Sequence, residues 1–286
     1  MELSERTSAI LMVHKARKNG LPFWNKLRQS DSNQVVVAFE AFRQLNRVFI
    51  RPMTAISAMH DMHEDICTSA ERKRAAMIIL PFHKHQRLDG TLETTRNEFR
   101  WVNKRVLEHS PCSVGILVDR GFGGGTHVSA SNVSSTVTVL FFGGHDDREA
   151  LAYGARMAEH PGISLIIVHF IPSNDIMGQM VKVDITDESK RPVNSAKEIV
   201  EIVKEFSRCN LFVVGRMPVG PVAAALTEKA EYPELGPVGN LLTSNGFTTS
   251  ASVLVVQQYN GSTTSQLSSS SSTKIVELPE DDSETG

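Results

Sequence analysis

The feature that most constrains the fold is a short, largely apolar run of β-branched and aromatic residues, Thr136–Phe142, which ends at Gly143 and Gly144. Such a run predicts a buried strand, and the paired glycines predict its end. Three further apolar runs follow along the chain: Ile163–Ile171, Leu211–Val214 and Ala251–Gln257. Strands that are apolar throughout are typical of parallel sheets covered by helices on both faces.

Amphipathic segments between these runs predict the covering helices. Asp146 or Asp147 is predicted to cap a helix that extends to about Glu159, and Ser195–Arg208 carries apolar residues at the spacing of one helix face. The first half predicts the same alternation: helix Asn33–Leu45, strand Val48–Ile56, helix Met62–Arg74, strand Ala76–Leu80, helix Thr94–His109 and strand Ser113–Val118. We therefore predict an α/β fold with parallel sheets in two tandem units.

Composition divides the chain into four parts. Residues 120–135 are rich in Gly and Ser, which predicts a linker between a first unit at 1–119 and a second unit at 136–259. Residues 260–286 form a Ser-rich and then acidic tail that we expect to be disordered. The first unit has no residues for an opening strand and helix. We therefore expect that unit to be truncated at its N-terminal end, which leaves open whether Met1 is a true start.

The charge balance argues against nucleic acid as a partner, because 30 Lys and Arg face 32 Asp and Glu for a net charge of −2. A local exception lies between residues 6 and 30, which hold basic residues, no acids and two neighbouring aromatics. Such a segment attracts anionic lipid headgroups, and the alternative is a solvated loop. The membrane-contact candidates are Lys15, Arg17, Lys18, Trp24, Lys26 and Arg28.

No pattern of catalytic residues stands out, so we do not expect an enzyme. No serine lies in a G-x-S-x-G elbow, and Asp146 and Asp147 open a helix, where we expect them only to stabilise its dipole.

Two close histidine pairs, His60 with His63 and His83 with His85, lack the cysteines or carboxylates that would complete a metal site. We therefore expect no metal. The alternative for these histidines is titration near neutral pH.

Four stretches of the sequence resemble the C-terminal cytosolic region of plant monovalent cation/proton exchangers: Ala70–Asp119, Phe141–Pro172, Asn210–Gly220 and Glu234–Leu242. In that family the region follows a bundle of transmembrane helices that carries out the exchange. The resemblance implies a regulatory region on the cytosolic face of an endomembrane or the plasma membrane. It also implies exchange of K⁺ or Na⁺ by the parent protein and the transmembrane antiporter domain as a partner. Because the truncated first unit would leave an unpaired sheet edge, we also expect a homodimer.

The exchangers' soluble region is similar to two tandem universal stress proteins, which are α/β folds that bind adenine nucleotides. That similarity makes Gly143, Gly144, Gly215, Arg216 and Gly236 the nucleotide-binding candidates.

The pattern departs from the stress proteins in three ways. The first strand of the second unit ends without an acid. Gly215 is followed by Arg216–Met217–Pro218, where a second glycine would be expected, and Pro237 lacks the backbone N–H that would donate to a phosphate. We therefore favour glycines that shape tight turns, and expect no cofactor. Arg216 keeps open the alternative function, a free-standing nucleotide-binding protein similar to universal stress proteins.

Overall fold

The computed structural model describes residues 2–4, 54–86, 92–94, 98–120, 135–172, 188–193, 195–220, 226, 231–244, 247 and 249–261. The strands are β1 (Glu2–Ser4), β2 (Thr54–Ile56), β3 (Met77–Pro81), β4 (Lys84–Gln86), β5 (Leu92–Thr94), β6 (Ser113–Val118), β7 (Ser135–Phe141), β8 (Ile163–Pro172), β9 (Glu188–Val193), β10 (Leu211–Gly215) and β11 (Ser252–Gln257). The helices are α1 (Met62–Lys73), α2 (Glu98–His109), α3 (His145–Ala158), α4 (Ala196–Glu205) and α5 (Gly236–Thr243).

Seven strands form one sheet that joins the two halves of the chain. Their order is β3-β6-β11-β10-β7-β8-β9, and every neighbouring pair is parallel except β6 with β11. The antiparallel pair sets Val118 opposite Val253 and Ile116 opposite Val255. The α/β fold class with a mostly parallel sheet is thus confirmed, and the two halves share a single sheet.

Smaller pairings lie beside this sheet. β1 pairs with β2 in parallel, and β4 pairs with β5 as an antiparallel ribbon. Among the residues that the structure describes, β3 pairs only with β6, so it forms one edge of the seven-stranded sheet.

Helices cover both faces of the sheet because the side chains of each strand alternate between them. On β7, Val137 and Val139 face a cluster that includes Ala150 of α3. Leu140 faces the opposite cluster, which includes Val106 of α2 and Ile199 of α4. The second cluster contains buried residues from both halves, so the core extends across the β6–β11 junction.

Backbone and side-chain contacts add to that junction. The backbone N–H of Arg120 donates to Ser252 Oγ at 2.9 Å, and its guanidinium donates to the carbonyl of Leu242 at 2.9 Å. Gln257 Nε2 donates to the carbonyl of Leu107 at 2.8 Å. The first half therefore contacts the second half at both ends of β11.

Several element boundaries differ from the sequence predictions. The helix predicted from Thr94 begins at Glu98, because Leu92–Thr94 pairs with β4 as a strand. Glu188–Val193 forms the edge strand β9, which none of the apolar runs predicted. The segments predicted as a linker and a tail lie almost entirely outside the described residues, as does the helix predicted at 33–45.

Candidate functional site

The candidate site lies where β7 and β10 end side by side and their glycine turns meet. Gly143 and Gly144 have φ angles of 115° and 102°, which side-chain-bearing residues rarely adopt. Gly144 also lies close to the neighbouring turn, since a Cβ added there would be 2.8 Å from Val219 Cγ2. The paired glycines therefore let the chain leave β7 and enter α3 within three residues.

The carboxylate of Asp147 fills the space between the two turns. Its Oδ2 accepts hydrogen bonds from the backbone N–H of Phe142 at 3.0 Å and of Gly143 at 2.9 Å. Its Oδ1 accepts from the N–H of Gly215 at 3.1 Å. The Asp147 side chain is fully buried, so one carboxylate holds the ends of β7, β10 and α3 together.

Asp146 makes a second set of contacts, with the segments that follow β10 and β11. Its Oδ2 accepts from the N–H of Met217 at 2.9 Å, and its Oδ1 accepts from the N–H of Gln258 at 2.8 Å. Asp146 is also buried. Together the aspartate pair, Asp146 and Asp147, accepts five backbone hydrogen bonds from three different strand ends.

The glycine at position 215 is required by this packing. A Cβ added there would be 2.1 Å from Asp147 Oδ1 and 2.6 Å from the Asp147 backbone nitrogen. Because both atoms belong to the element that the loop binds, only a residue without a side chain fits. Gly215 therefore serves the approach of the carboxylate to the strand end.

Arg216, in the loop after β10, lies in close contact with Gly236, the first residue of α5. Gly236 has a φ of 63°, and a Cβ there would be 1.8 Å from the carbonyl oxygen of Arg216. The Arg216 guanidinium donates to the carbonyl of Pro233 through Nε at 3.2 Å and through a terminal nitrogen at 3.0 Å. It also donates to the side chain of Gln257. The cation is thus engaged by neighbouring residues of the chain.

Burial shifts the titration of the charged groups here. It raises the pKa of Asp147 to about 6, although three backbone N–H groups favour the charged form. Burial also raises the pKa of Asp146, against the hydrogen bonds from Gln258 and Met217 and the charge of Arg216. Burial lowers the pKa of Arg216, and the carboxylates around it partly offset that effect.

Asp146 and Asp147 lie in the first turn of α3, as the sequence predicts, but they do more than stabilise its dipole, and the prediction that one of them caps the helix is wrong. The N-cap of α3 is Gly144, which has no side-chain cap hydrogen bond, and the helix begins at His145. The two carboxylates bind loop N–H groups outside the helix. A sequence signal was present, because two acids stand two and three residues after a strand-ending glycine pair.

The structure brings the five nucleotide candidates to one edge of the sheet. Gly143 and Gly215 meet at the Asp147 carboxylate, while Arg216 and Gly236 meet through backbone. Two of the N–H groups that a phosphate would need in the glycine turns, those of Gly143 and Gly215, already donate to that carboxylate. The arrangement therefore acts as a clamp between loops built from the chain's own acids.

A second polar cluster joins the halves beside this clamp. His83 Nδ1 lies 3.2 Å from Glu234 Oε1, and both side chains are almost fully buried. Burial tends to raise the pKa of Glu234, but contact with His83 and the charge of Arg100 hold it below its ordinary value. The hydroxyl of Tyr232, which contacts Lys84, lies next to them. Glu234 lies two residues before the first residue of α5, so the cluster ties the β3–β4 segment to the start of that helix.

The remaining sequence candidates are not gathered into a site by the described residues. His60 lies on the surface and His63 is buried against Trp101, with ring centroids 5.1 Å apart. Within the described ranges, no three His, Cys, Asp or Glu converge in a way that could hold a metal. The basic membrane-contact candidates, Lys15 to Arg28, fall outside the described residues.

Comparison with known proteins matches almost the whole chain to one group of proteins. Residues 1–122 match the family model described as a plant cation/H(+) antiporter domain, and residues 134–257 match the model described as its C-terminal domain. Cation/H(+) antiporter 18 from Arabidopsis thaliana is 56% identical over 91% of this chain and 36% of its own length. Cation/H(+) antiporter 17 from the same plant is 54% identical over 91% of this chain and 37% of its length.

The chain therefore spans a little over a third of the relatives it matches. Among solved structures, a universal stress protein from Archaeoglobus fulgidus aligns with a TM-score of 0.40 at 15% identity, covering 82% of this chain and 81% of that one. None of the helices in the described part of the chain is both long enough and apolar enough to cross a membrane.

Proposed function

The chain belongs to the plant cation/H(+) antiporter family, and we propose that it is the regulatory region of an antiporter that exchanges K⁺ or Na⁺ for protons. Its direct partner would be the transmembrane antiporter domain of the same protein. It would act on the cytosolic face of an endomembrane or the plasma membrane. In this proposal the chain carries no ions and instead alters the rate at which the parent antiporter does so.

The observation that carries the proposal is the extent of the family match. Two antiporter models account for residues 1–122 and 134–257, and the second is described as a C-terminal domain. Relatives that are more than half identical contain this region as a little over a third of a longer antiporter. A region of that size attached to a transporter is well placed to receive a signal and pass it on.

The geometry of the clamp disfavours the alternative of a free-standing nucleotide-binding protein. Nucleotide phosphates bind through unpaired backbone N–H groups in glycine turns. Here the N–H groups of Gly143 and Gly215 donate to Asp147, and the N–H of Met217 donates to Asp146. A phosphate would have to displace two buried carboxylates that repel it. We therefore propose that the region works without a nucleotide.

Two further contacts belong to the proposal. The basic segment with Lys15, Arg17 and Lys18 would lie against anionic lipid headgroups, close to the membrane that holds the parent protein. A homodimer of the parent would bring two copies of the region together.

Exchange measurements in a chimera test the regulatory role. In Cation/H(+) antiporter 18, the region shared with this chain is replaced by this chain, and cation-driven proton flux is followed in sealed vesicles with a pH-sensitive dye. We expect the chimera to exchange, and expect a chimera with Gly215→Ala to exchange at a clearly different rate at equal protein level. The matched control is Gly261→Ala, where an added Cβ has no neighbour closer than 3.8 Å.

The flux comparison includes a version that ends before the shared region. If the shortened antiporter and both chimeras exchange at the same rate over the whole pH range, the region does not regulate transport. Surface labelling of the vesicles separates a change in rate from a change in the amount of protein inserted.

A further inference from the structure

Asp147 is a buried acid that holds three chain segments together through one carboxylate. It lies on the first turn of α3, and its partners are the N–H groups of Phe142 and Gly143 after β7 and of Gly215 at the end of β10. A proton on the carboxylate would occupy one of its acceptor positions and remove the charge that strengthens all three hydrogen bonds. The link between α3 and the β10 loop is therefore sensitive to protonation of this side chain.

The two oxygens of Asp147 are not equivalent. Oδ2 accepts two backbone hydrogen bonds, whereas Oδ1 accepts the single bond from Gly215 at 3.1 Å. A proton binds where fewer donors already point, so Oδ1 is the favoured oxygen. Once protonated, Oδ1 is an uncharged hydroxyl oxygen, which accepts a weaker hydrogen bond from the Gly215 N–H than a carboxylate oxygen does. The contact with β10 is then the first to weaken.

The charges around Asp147 reinforce proton uptake. Asp146, its neighbour on α3, carries a charge of the same sign and raises the pKa of Asp147. The charges of Arg216, in the loop after β10, and of His145, on α3, lower the pKa of Asp146 and so favour its charged form. The hydrogen bonds that reach the aspartate pair from the β7 and β11 ends are donated by the backbone N–H groups of Phe142, Gly143 and Gln258.

The loop that Asp147 holds displays apolar side chains. Residues 215–220 include Met217 and Val219, whose exposed fractions are 56% and 58%. The loop is also held by Met217 N–H on Asp146 and by Val219 N–H on the carbonyl of Gly143. Loss of the Gly215 contact would thus loosen one end of an apolar surface while the other contacts keep it attached.

We propose that protonation of Asp147 on Oδ1 releases the Gly215 N–H and loosens the loop 215–220, so that this loop is an acid-responsive element. The proposal rests on the proposed function for its meaning, since it identifies acidity as a signal that the regulatory region receives. The opening itself is a property of this chain and is measured on this chain alone.

The direction of the pH dependence follows from the raised pKa. The folded chain binds a proton at Asp147 below about pH 6, while the unfolded chain does so only near the ordinary value of 3.8. Protonation of Asp147 therefore adds to the free energy of unfolding as the pH falls from about 6 towards 3.8. This contribution is lost as the pH rises through about 6. The Gly215 N–H favours the charged form of Asp147, so a folded state that lacks this bond but keeps the carboxyl buried binds the proton more tightly, and acid favours that state.

The experiment is an NMR titration of the intact chain between pH 7.5 and 5. We expect the Gly215 amide resonance to shift with a midpoint of about 6. After correction for the intrinsic exchange rate, its hydrogen exchange should become about tenfold faster in acid, as expected when a hydrogen bond to a charged group worth about 1.5 kcal/mol is lost. A Gly215 amide that neither shifts nor exchanges faster in this range would overturn the proposal.

Two variants sharpen the titration. Asp147→Asn lacks the charge at all pH values, so its Gly215 amide should exchange fast at pH 7.5 and show no midpoint. Asp65→Asn makes the same chemical change on an exposed acid in the first turn of α1 and should titrate like the wild-type chain. If Asp147→Asn fails to fold, the wild-type titration alone decides.

Transport in the chimera described above then judges the biological role separately. An acid-dependent flux that Asp147→Asn makes independent of pH supports both proposals. A positive NMR titration with unchanged transport keeps the acid-responsive loop and contradicts regulation through it. A flat NMR titration removes the loop mechanism, whatever the transport result.

Discussion

Replacing Gly215 with alanine is expected to lower the free energy of unfolding by about 3 kcal/mol, the upper part of the range for overpacked cores. The added Cβ would be 2.1 Å from Asp147 Oδ1, 2.6 Å from the Asp147 nitrogen and 2.9 Å from the Asp146 carbonyl carbon. A side chain can rotate away, but the two backbone atoms cannot move without shifting α3. Urea denaturation followed by circular dichroism measures the loss.

Gly261→Ala is the matched control for this substitution. A Cβ at position 261 would come no closer than 3.8 Å to Tyr259, so the stability should change by less than about 0.5 kcal/mol. Equal stability of Gly215→Ala and the wild-type chain would mean that the aspartate clamp is not packed as described.

Replacing Phe212 with alanine is expected to cost about 3–5 kcal/mol, the usual cost of removing a fully buried aromatic ring. Phe212 lies on β10 in the middle of the sheet, has no exposed surface and contacts Phe247 edge to face with ring centroids 6.3 Å apart. It belongs to the same buried cluster as Val102 and Val106 of α2, which come from the other half of the chain.

Because the two halves share this cluster and one sheet, they should unfold together. In a Trp24→Phe background, fluorescence reports Trp101, which lies on α2 in the first half and is 43% exposed. We expect Phe212→Ala to move the Trp101 transition and the circular dichroism transition to the same lower urea concentration. A Trp101 transition that stays at the wild-type position would show that the halves unfold separately.

The sheet could be predicted from the sequence where its strands are apolar on both faces. The runs at Thr136–Phe142, Ile163–Ile171 and Leu211–Val214 are β7, β8 and β10 to within a few residues. Burial on two faces leaves a signal that needs no knowledge of the neighbouring strands. The antiparallel β6–β11 pair that joins the halves leaves no such signal, because both strands are apolar whatever they pair with.

The edge strand β9 and the ribbon strand β5 could not be predicted, because they lack the continuous apolar runs of strands buried on both faces. β9 has the sequence ESKRPV, whose charges and proline suit a sheet edge and are also typical of loops. β5 is only three residues long and directly precedes the segment that leads to α2. The β propensity of so short a segment does not determine whether it forms a strand. Its pairing with β4 does.

The glycine turns of the candidate site can be predicted from the sequence, but the carboxylate contacts that hold these turns together cannot. The glycines at 143, 144, 215 and 236 were recognised as turn positions, and the structure confirms positive φ at three of them. Gly215 is explained instead by its contact with Asp147, from which it is 68 positions away in the chain. Contacts over that distance depend on strand order, which local sequence patterns do not encode.

Isothermal titration of the intact chain with ATP, and separately with AMP, tests most directly the central claim that the chain's own carboxylates hold the glycine turns. The N–H groups of Gly143 and Gly215 already donate to Asp147, and a phosphate would be repelled by two buried acids. We expect no measurable heat of binding, with a Kd weaker than about 1 mM, or about −4 kcal/mol. A Kd near 1 μM, about −8 kcal/mol, would contradict the account.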